Sequence, residues 1–132
     1  MIPIAVIDTN VIISAGISEK GNPAKIVNLV LDKKINLFYS EIIMAEYIEV
    51  LSRPRFDFNS EKQNSLLDGI QLAGTMEKPA KSDIPLPDES DRIFYDLAKE
   101  VNAYLITGNK KHYPNEDFIV TPAEFLAMFE NE

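Results

Sequence analysis

Short apolar runs alternate with amphipathic helical segments along this chain, and that alternation limits the fold more than any other feature. The runs have the length of strands, and the segments between them repeat apolar residues every three or four positions. The predicted strands are residues 4–7, 35–39, 103–107 and 118–120, with a weaker one at 75–77. Strands that alternate with helices predict right-handed crossovers and a parallel sheet covered by helices.

Capping residues predict where several of the helices begin. A side-chain oxygen at the start of a helix can accept a hydrogen bond from a free backbone N–H. The predicted caps are Asn22 before Pro23, Ser40, Ser60 with Gln63, and Thr121 with Glu124. Together the elements predict a three-layer α/β/α sandwich with a central, mostly parallel sheet of four to five strands. We expect residues 1–132 to form one domain.

The composition is that of an ordinary globular protein, with 45% hydrophobic and 26% charged residues. The chain has no cysteine, so it lacks disulfides and thiolate metal ligands, which suits the cytoplasm. The opening segment is apolar but carries no basic residues, and Asp8 and Asn10 interrupt it. We therefore interpret it as a buried first strand, and we expect a cytoplasmic protein with no membrane partner.

The net charge of −8 argues against a nucleic-acid binder that relies on a broad positive surface. Two explanations of the acidic residues remain. Most of the 21 acids can form a solvated surface that keeps the protein soluble, or some of them can gather around a cation. A cation site needs only three or four of them.

Four polar residues are predicted to lie at one edge of the sheet. Asp8 directly follows the first strand, and Asn109 follows the strand at 103–107. Glu46 lies in the second turn of the helix after the second strand, and Asp91 opens the helix that precedes the strand at 103–107. In open parallel sheets, ligands bind outside the carboxyl ends of the strands, near the point where the strand order reverses.

The spacing of two of these acids favours burial. Glu46 is four residues from both Ile42 and Val50, which are expected to face the core. Asp91 lies three residues before Phe94 and seven before Ala98, again on the stripe expected to face inward. A buried carboxylate is costly unless its charge is compensated, and one divalent cation would compensate several. Taken singly, however, each acid would more often be a helix cap or a solvated residue than a ligand.

The residues then match a known family in five blocks that cover essentially the whole chain. The first block resembles the opening motif of PIN-domain nucleases, and the others resemble a bacterial subgroup described as toxins of toxin–antitoxin pairs. The blocks are residues 6–11 (VIDTNV), 46–56 (EYIEVLSRPRF), 87–94 (PDESDRIF), 103–114 (AYLITGNKKHYP) and 121–126 (TPAEFL).

The resemblance implies a metal-dependent endoribonuclease, a hydrolase that cleaves RNA with Mg²⁺ or Mn²⁺. By carry-over, Asp8, Glu46 and Asp91 bind the metal. Many PIN domains have an acid at the fourth position, where this chain has Asn109. An amide offers only a carbonyl oxygen, which puts a second metal in doubt more than the first.

Five neighbouring residues are weaker candidates for supporting the site. Thr9, Asn10 and Thr107 are expected to fix the acids by hydrogen bonds. Lys111 and His112 follow Asn109 and could contact phosphates beside the metal. The alternative is a solvated loop, which explains His112 about as well. The resemblance also implies RNA as substrate and an antitoxin protein as partner. The apolar helices would allow a homodimer, but periodicity does not separate an interface from a core.

Two other functions compete with ribonuclease activity. A PIN fold that binds RNA or a protein without cleaving is favoured by the net charge and by Asn109. A phosphatase with an aspartyl nucleophile usually needs a second acid two residues after the first. That place is occupied by Asn10, so we disfavour the phosphatase.

Overall fold

The structure is a computed structural model and describes residues 2–130. Within that range the strands are Ile4–Ile7 (β1), Asn36–Tyr39 (β2), Thr75–Met76 (β3), Tyr104–Ile106 (β4) and Ile119–Val120 (β5). The α-helices are Thr9–Ile17 (α1), Asn22–Leu31 (α2), Glu41–Leu51 (α3), Ser60–Ala73 (α4), Arg92–Val101 (α5) and Pro122–Glu130 (α6). Single turns of 3₁₀ helix occupy Pro54–Phe56, Glu89–Asp91 and Lys110–His112.

The five strands form one parallel sheet in the order β3-β2-β1-β4-β5. The helices flank this sheet, which confirms the predicted three-layer α/β/α sandwich. β1 lies at the centre, and Ala5, Val6 and Ile7 are fully buried because helices cover both faces of the strand. From β1 the chain builds outward to β3 and then returns to β4 on the other side. The strand order therefore reverses between β1 and β4.

The opening segment is not the single buried strand that its apolar character suggested. β1 ends at Ile7, and α1 begins at Thr9. Val11, Ile12 and Ile13 are all buried, so α1 has little of the polar face that would show a helical period. No helix within residues 2–130 combines the length and the apolar character needed to cross a membrane.

Two of the predicted caps are confirmed. Ser40 accepts a hydrogen bond from the backbone N–H of Ile43 at 3.2 Å. Thr121 and Glu124 form a reciprocal capping box, with the Thr121 N–H donating to Glu124 Oε1 at 2.9 Å and the Glu124 N–H donating to Thr121 Oγ1 at 3.1 Å.

The other two caps lie one residue earlier than predicted. Gly21 caps α2, and Asn22 is already its first helical residue. Asn59 caps α4 by accepting from the Lys62 N–H at 2.7 Å. Gln63 donates to the carbonyl of Phe58 instead of closing a box with Ser60. In both places an adjacent residue could take the cap, and spacing alone did not decide between them.

Candidate metal centre

Asp8 lies at the reversal of strand order, directly after β1. Its backbone N–H donates to the carbonyl of Ile106 at 2.9 Å, which continues the β1–β4 ladder by one residue. The side chain is buried and only 5% exposed. Although Asp8 occupies the N-cap position of α1, its side chain makes no capping hydrogen bond. The capping explanation of Asp8 is therefore excluded by its geometry.

Hydroxyl groups hold the Asp8 carboxylate from two directions. Thr107 Oγ1 donates to Asp8 Oδ2 at 2.9 Å, and the Tyr113 hydroxyl donates to the same oxygen at 2.8 Å. Thr107 is fully buried and follows β4, as the register of Ile7 with Ile106 requires. The predicted supporting contact of Thr107 is thus present in the structure.

Glu46 reaches the same edge from α3. Its carboxylate accepts a hydrogen bond from the Thr9 hydroxyl, at the first residue of α1. The adjacent Tyr47 is fully buried and donates its hydroxyl to the carbonyl of Ile7, which fixes α3 against the end of β1. Burial and the charges of Asp8 and Glu46 raise the pKa of Tyr47 well above its ordinary value. The three residues are therefore electrostatic neighbours.

The predicted reason for the burial of Glu46 was wrong in part. Ile42 is 64% exposed and faces outward. The buried stripe of α3 runs through Ile43, Tyr47 and Leu51, and Glu46 lies along its flank, where it is half-buried. The expected stripe of α5 is present, since Phe94 and Ala98 are each 1% exposed.

Asp91 joins the 3₁₀ turn to α5 and has the least compensated charge of the three acids. It also occupies the N-cap position of α5 without a capping hydrogen bond, whereas Asp88 caps the preceding 3₁₀ turn by accepting from the Ser90 N–H. The Asp91 side chain is 13% exposed, and its buried Oδ2 has no hydrogen-bond partner among residues 2–130. His112 Nδ1 lies 3.3 Å from that oxygen, close enough for an ion pair but not aligned as a hydrogen bond.

The pKa of Asp91 shows how crowded the negative charge is. Burial, followed by the charges of Asp8, Asp88 and Glu46, raises the pKa to about 6, while His112 opposes them. Two carboxylates that repel each other in a poorly hydrated place favour protonation of one. Crowding among the acids therefore raises the proton affinity of Asp91.

Asn109 and His112 form the outer wall of the site. The Asn109 backbone N–H donates to Thr107 Oγ1 at 3.1 Å, and its side-chain amide nitrogen lies 3.0 Å from His112 Nε2. If the amide donates there, His112 carries its proton on Nδ1, toward Asp91. Lys111 is exposed, and no hydrogen bond or ion pair within residues 2–130 involves its side chain.

Asn10 supports the edge from the side of α1. Its Oδ1 accepts a hydrogen bond from the Gly108 N–H at 3.0 Å, so it ties the start of α1 to the turn after β4. The sequence predicted that Asn10 would hold an acid, but this hydrogen bond is to the backbone of Gly108. Thr9, Asn10 and Thr107 thus connect α1, β4 and the two acids Asp8 and Glu46.

Two residues near the acids, Asp88 and Tyr113, were not predicted. Asp88 forms a group with Asp91 and His112 in which the possible ligand atoms all lie within 4.8 Å of one another. Asp8 and Glu46 do not belong to a group of that tightness among the described residues. The signal for Asp88 was its position three residues before Asp91. Tyr113 had no comparable signal, because a buried aromatic residue after a turn is usually part of the core.

The Tyr113 hydroxyl lies among all three acids. Burial raises its pKa most strongly, followed by the charge of Asp8, its hydrogen bond to Asp8, and the charges of Asp91 and Glu46. A tyrosine with a raised pKa remains a hydrogen-bond donor at neutral pH. The one hydroxyl therefore feels Asp8, Glu46 and Asp91 together, which places them around a common region.

A surface groove lies beside the acidic region and not within it. It has a volume of about 740 Å³ and runs between the start of α3, the segment after β3 and the start of α5. Its lining includes the exposed Ile42 and Met76 but none of Asp8, Glu46 and Asp91. The acids, and not this groove, mark the place where chemistry is expected.

Comparisons with known proteins agree with this geometry. Residues 5–111 match the PIN domain family. The chain is also 30% identical to the uncharacterized protein MJ1680 of Methanocaldococcus jannaschii over 140 aligned positions, which cover 95% of this chain and 90% of that protein. The matched range contains Asp8, Glu46, Asp91 and Asn109, whereas Tyr113 lies just beyond it.

Proposed function

This chain belongs to the PIN domain family, and we propose that it is a ribonuclease that uses a divalent cation held by Asp8, Glu46 and Asp91. The observation that carries the proposal is the buried Asp91 Oδ2, which accepts no hydrogen bond from the described residues and lies in the field of Asp8 and Glu46. A protein does not ordinarily bury an anionic oxygen without compensation, except where a ligand supplies it.

The donor set fits a hard divalent cation. The candidate ligand atoms are carboxylate oxygens, which Mg²⁺ and Mn²⁺ prefer, together with the carbonyl of Asn109. Asp88 and His112 extend the set next to Asp91. The charge of the cation would remove the repulsion that raises the pKa of Asp91, so binding and ionisation of the site favour each other.

The bound cation would lower the pKa of a water molecule and offset the charge of a phosphate. The residues of the chain hold the reacting groups in place. Thr107 fixes Asp8 and Thr9 fixes Glu46, whose carboxylate would bind the cation or orient the attacking water. Water adds to phosphorus and the 3′ oxygen leaves with a proton, so the products are a 5′ phosphate and a 3′ hydroxyl.

RNA would be bound mainly through this site and the residues beside it. The net charge of −8 leaves no excess of basic residues to attract phosphate over a wide surface. Lys111 and His112 are exposed next to Asn109 and can contact phosphates that flank the cleaved bond. Affinity for RNA is therefore expected to depend on the cation.

The role as a toxin is a separate part of the proposal and rests on the resemblance to the toxin subgroup. It requires an antitoxin protein that covers the acids, and activity in the cytoplasm. The exposed Ile42 and Met76 of the neighbouring groove would suit a protein partner. A homodimer is likewise proposed only from the family.

The proposal is tested by an RNase assay with Mg²⁺, with Mn²⁺ and with EDTA. We expect cleavage that requires a cation and is lost in Asp8→Ala and Asp91→Ala. Asp68→Asn, which changes an exposed acid on α4, is the matched control and should retain activity. RNA binding without cleavage under every condition would instead support the non-cleaving binding module.

A further inference from the structure

Tyr113 is a buried tyrosine whose hydroxyl points into the acidic region. It is 4% exposed and follows the 3₁₀ turn Lys110–His112, where its backbone N–H donates to the carbonyl of Lys110 at 3.1 Å. A buried tyrosine hydroxyl needs a partner, and a backbone carbonyl usually suffices, as for Tyr47. Tyr113 instead uses the carboxylate of Asp8.

The hydrogen bonds on Asp8 are distributed unevenly between its two oxygens. Both Thr107 and Tyr113 donate to Oδ2, at 2.9 and 2.8 Å. A carboxylate oxygen has two lone-pair directions, so two donors fill Oδ2. No hydrogen bond formed by residues 2–130 reaches Oδ1. Asp8 therefore has one occupied oxygen and one that remains available.

We propose that Tyr113 is a positioning residue of the metal centre, which acts with Thr107 to fix Asp8 through Oδ2 and leave Oδ1 as the oxygen offered to a cation. This inference rests on the proposed function. A carboxylate held on one side cannot rotate to bind in a bidentate fashion or to turn away, so its free oxygen is preorganised. Tyr113 lies outside the residues that match the family, so its role comes from this geometry alone.

The decisive variant is Tyr113→Phe, which removes the hydroxyl and keeps the ring. Partners of this kind typically contribute tenfold to a hundredfold to metal affinity, so we expect Mn²⁺ to bind about tenfold more weakly in a calorimetric titration. Tyr113→Leu, a second variant without the hydroxyl, should show a loss at least as large. Raising the Mn²⁺ concentration should restore cleavage by Tyr113→Phe, because the defect lies in binding the cation.

Tyr95→Phe is the matched control. Tyr95 is 1% exposed and donates its hydroxyl to the partly exposed Glu116, so this variant also removes a tyrosine–carboxylate hydrogen bond from a buried ring, but away from the acids. A purely structural role for Tyr113 would lower thermal stability in both variants and leave both Mn²⁺ affinities equal to that of the wild type. We expect only Tyr113→Phe to lose affinity.

Thr107→Val adds a test of the shared oxygen. Because both hydroxyls hold Oδ2, the affinity losses of Thr107→Val and Tyr113→Phe should not multiply in the double variant. Wild-type affinity in a folded Tyr113→Phe, or an equal loss in Tyr95→Phe, would overturn the inference while leaving the proposed function intact. Failure of the wild type to bind Mn²⁺ would overturn both.

Discussion

Two acids of α5 lie five residues apart and are treated in opposite ways: Asp96 within the helix, and Asp91 at its N-cap. Asp96 is 6% exposed, and its oxygens accept from the Ser82 N–H at 3.0 Å and from the Ser82 hydroxyl at 2.5 Å. Arg92 is 8% exposed and donates to the carbonyls of Ser82 and Ile84 at 2.8 and 2.7 Å and to both carboxylate oxygens of Glu89. Asp91, their neighbour, has a buried oxygen that accepts no hydrogen bond from residues 2–130.

The difference separates a structural cluster from a site that is prepared for a ligand. In the Arg92 cluster (Ser82, Arg92 and Asp96) the protein supplies the donors and acceptors itself, and the segment before α5 is fixed as a result. At the acidic edge (Asp8, Glu46 and Asp91) hydroxyls orient two of the acids, and within residues 2–130 no Lys or Arg pairs with any of the three, so that only His112 lies against Asp91. Buried polar groups that a protein leaves uncompensated are those most often used in function.

The largest effect should come from neutralising the oriented acid of the acidic edge. Asp8→Asn keeps the shape of the side chain but removes its charge, so we expect cation-dependent RNA cleavage to fall by at least about 1,000-fold, or about 4 kcal/mol in the barrier. Initial rates with Mn²⁺ measure the change, with Asp68→Asn as the control. A folded Asp8→Asn that cleaves at the wild-type rate would remove Asp8 from the mechanism.

Disrupting the Arg92 cluster should lower the stability of the fold. Arg92→Met leaves the carbonyls of Ser82 and Ile84 without a donor and removes a positive charge 3.9 Å from Asp96. We expect a decrease of about 3 kcal/mol in the free energy of unfolding, measured with urea in EDTA. A decrease below about 1 kcal/mol would contradict the idea that the Arg92 cluster stabilises the fold.

Neutralising Asp91 should raise stability when no metal is present, whereas Arg92→Met lowers it. The pKa of Asp91 is about 6 in the folded protein, above the ordinary value of 3.8. The stability that comes from the protonated carboxyl is therefore complete below about pH 3.8 and is lost as the pH rises through about 6. Asp91→Asn should therefore raise the free energy of unfolding in EDTA at pH 7 by about 1 to 3 kcal/mol.

The gain from Asp91→Asn should disappear near pH 4, where the wild-type carboxyl is protonated. It should also reverse with saturating Mn²⁺, which stabilises only a protein that binds it. Urea unfolding at the two pH values and with both additives measures these changes. A variant less stable than the wild type at pH 7 in EDTA would contradict the idea that the Asp91 charge is uncompensated.

The smallest effect is expected for Ser82→Ala. It removes the hydroxyl that donates to Asp96 but leaves the Ser82 backbone N–H in place. We expect a loss of about 1 kcal/mol in stability and an unchanged Mn²⁺ affinity. A change in metal affinity as large as that of an acidic-edge variant would mean that the two regions are not independent.

The sequence predicted the sheet well because its strands are short, apolar and separated by helices. It also predicted that Asp8 and Asn109 lie at one edge of the sheet, since parallel strands end at a common edge. It missed α1, whose buried residues follow one another without a polar face. It assigned Ile42 to the core, because periods of three and four residues do not fix which of two adjacent stripes faces inward.

The finer geometry of the site could not be predicted for a different reason. Side-chain orientation depends on contacts between residues distant in the chain, such as Tyr113 with Asp8 and Thr9 with Glu46. The capping explanation of Asp8 and Asp91 was also undecidable from sequence, because both do occupy N-cap positions. Only their hydrogen bonds separate a cap from a candidate ligand.

The most direct test of the acidic edge as a cation site is a calorimetric titration of the EDTA-treated, dialysed protein with Mn²⁺. We predict saturable binding by the wild type and an affinity reduced at least about tenfold in Asp91→Asn. Absence of saturable binding by the folded wild type, or equal affinities of the two proteins, would contradict the proposal that the buried Asp91 oxygen is reserved for a cation.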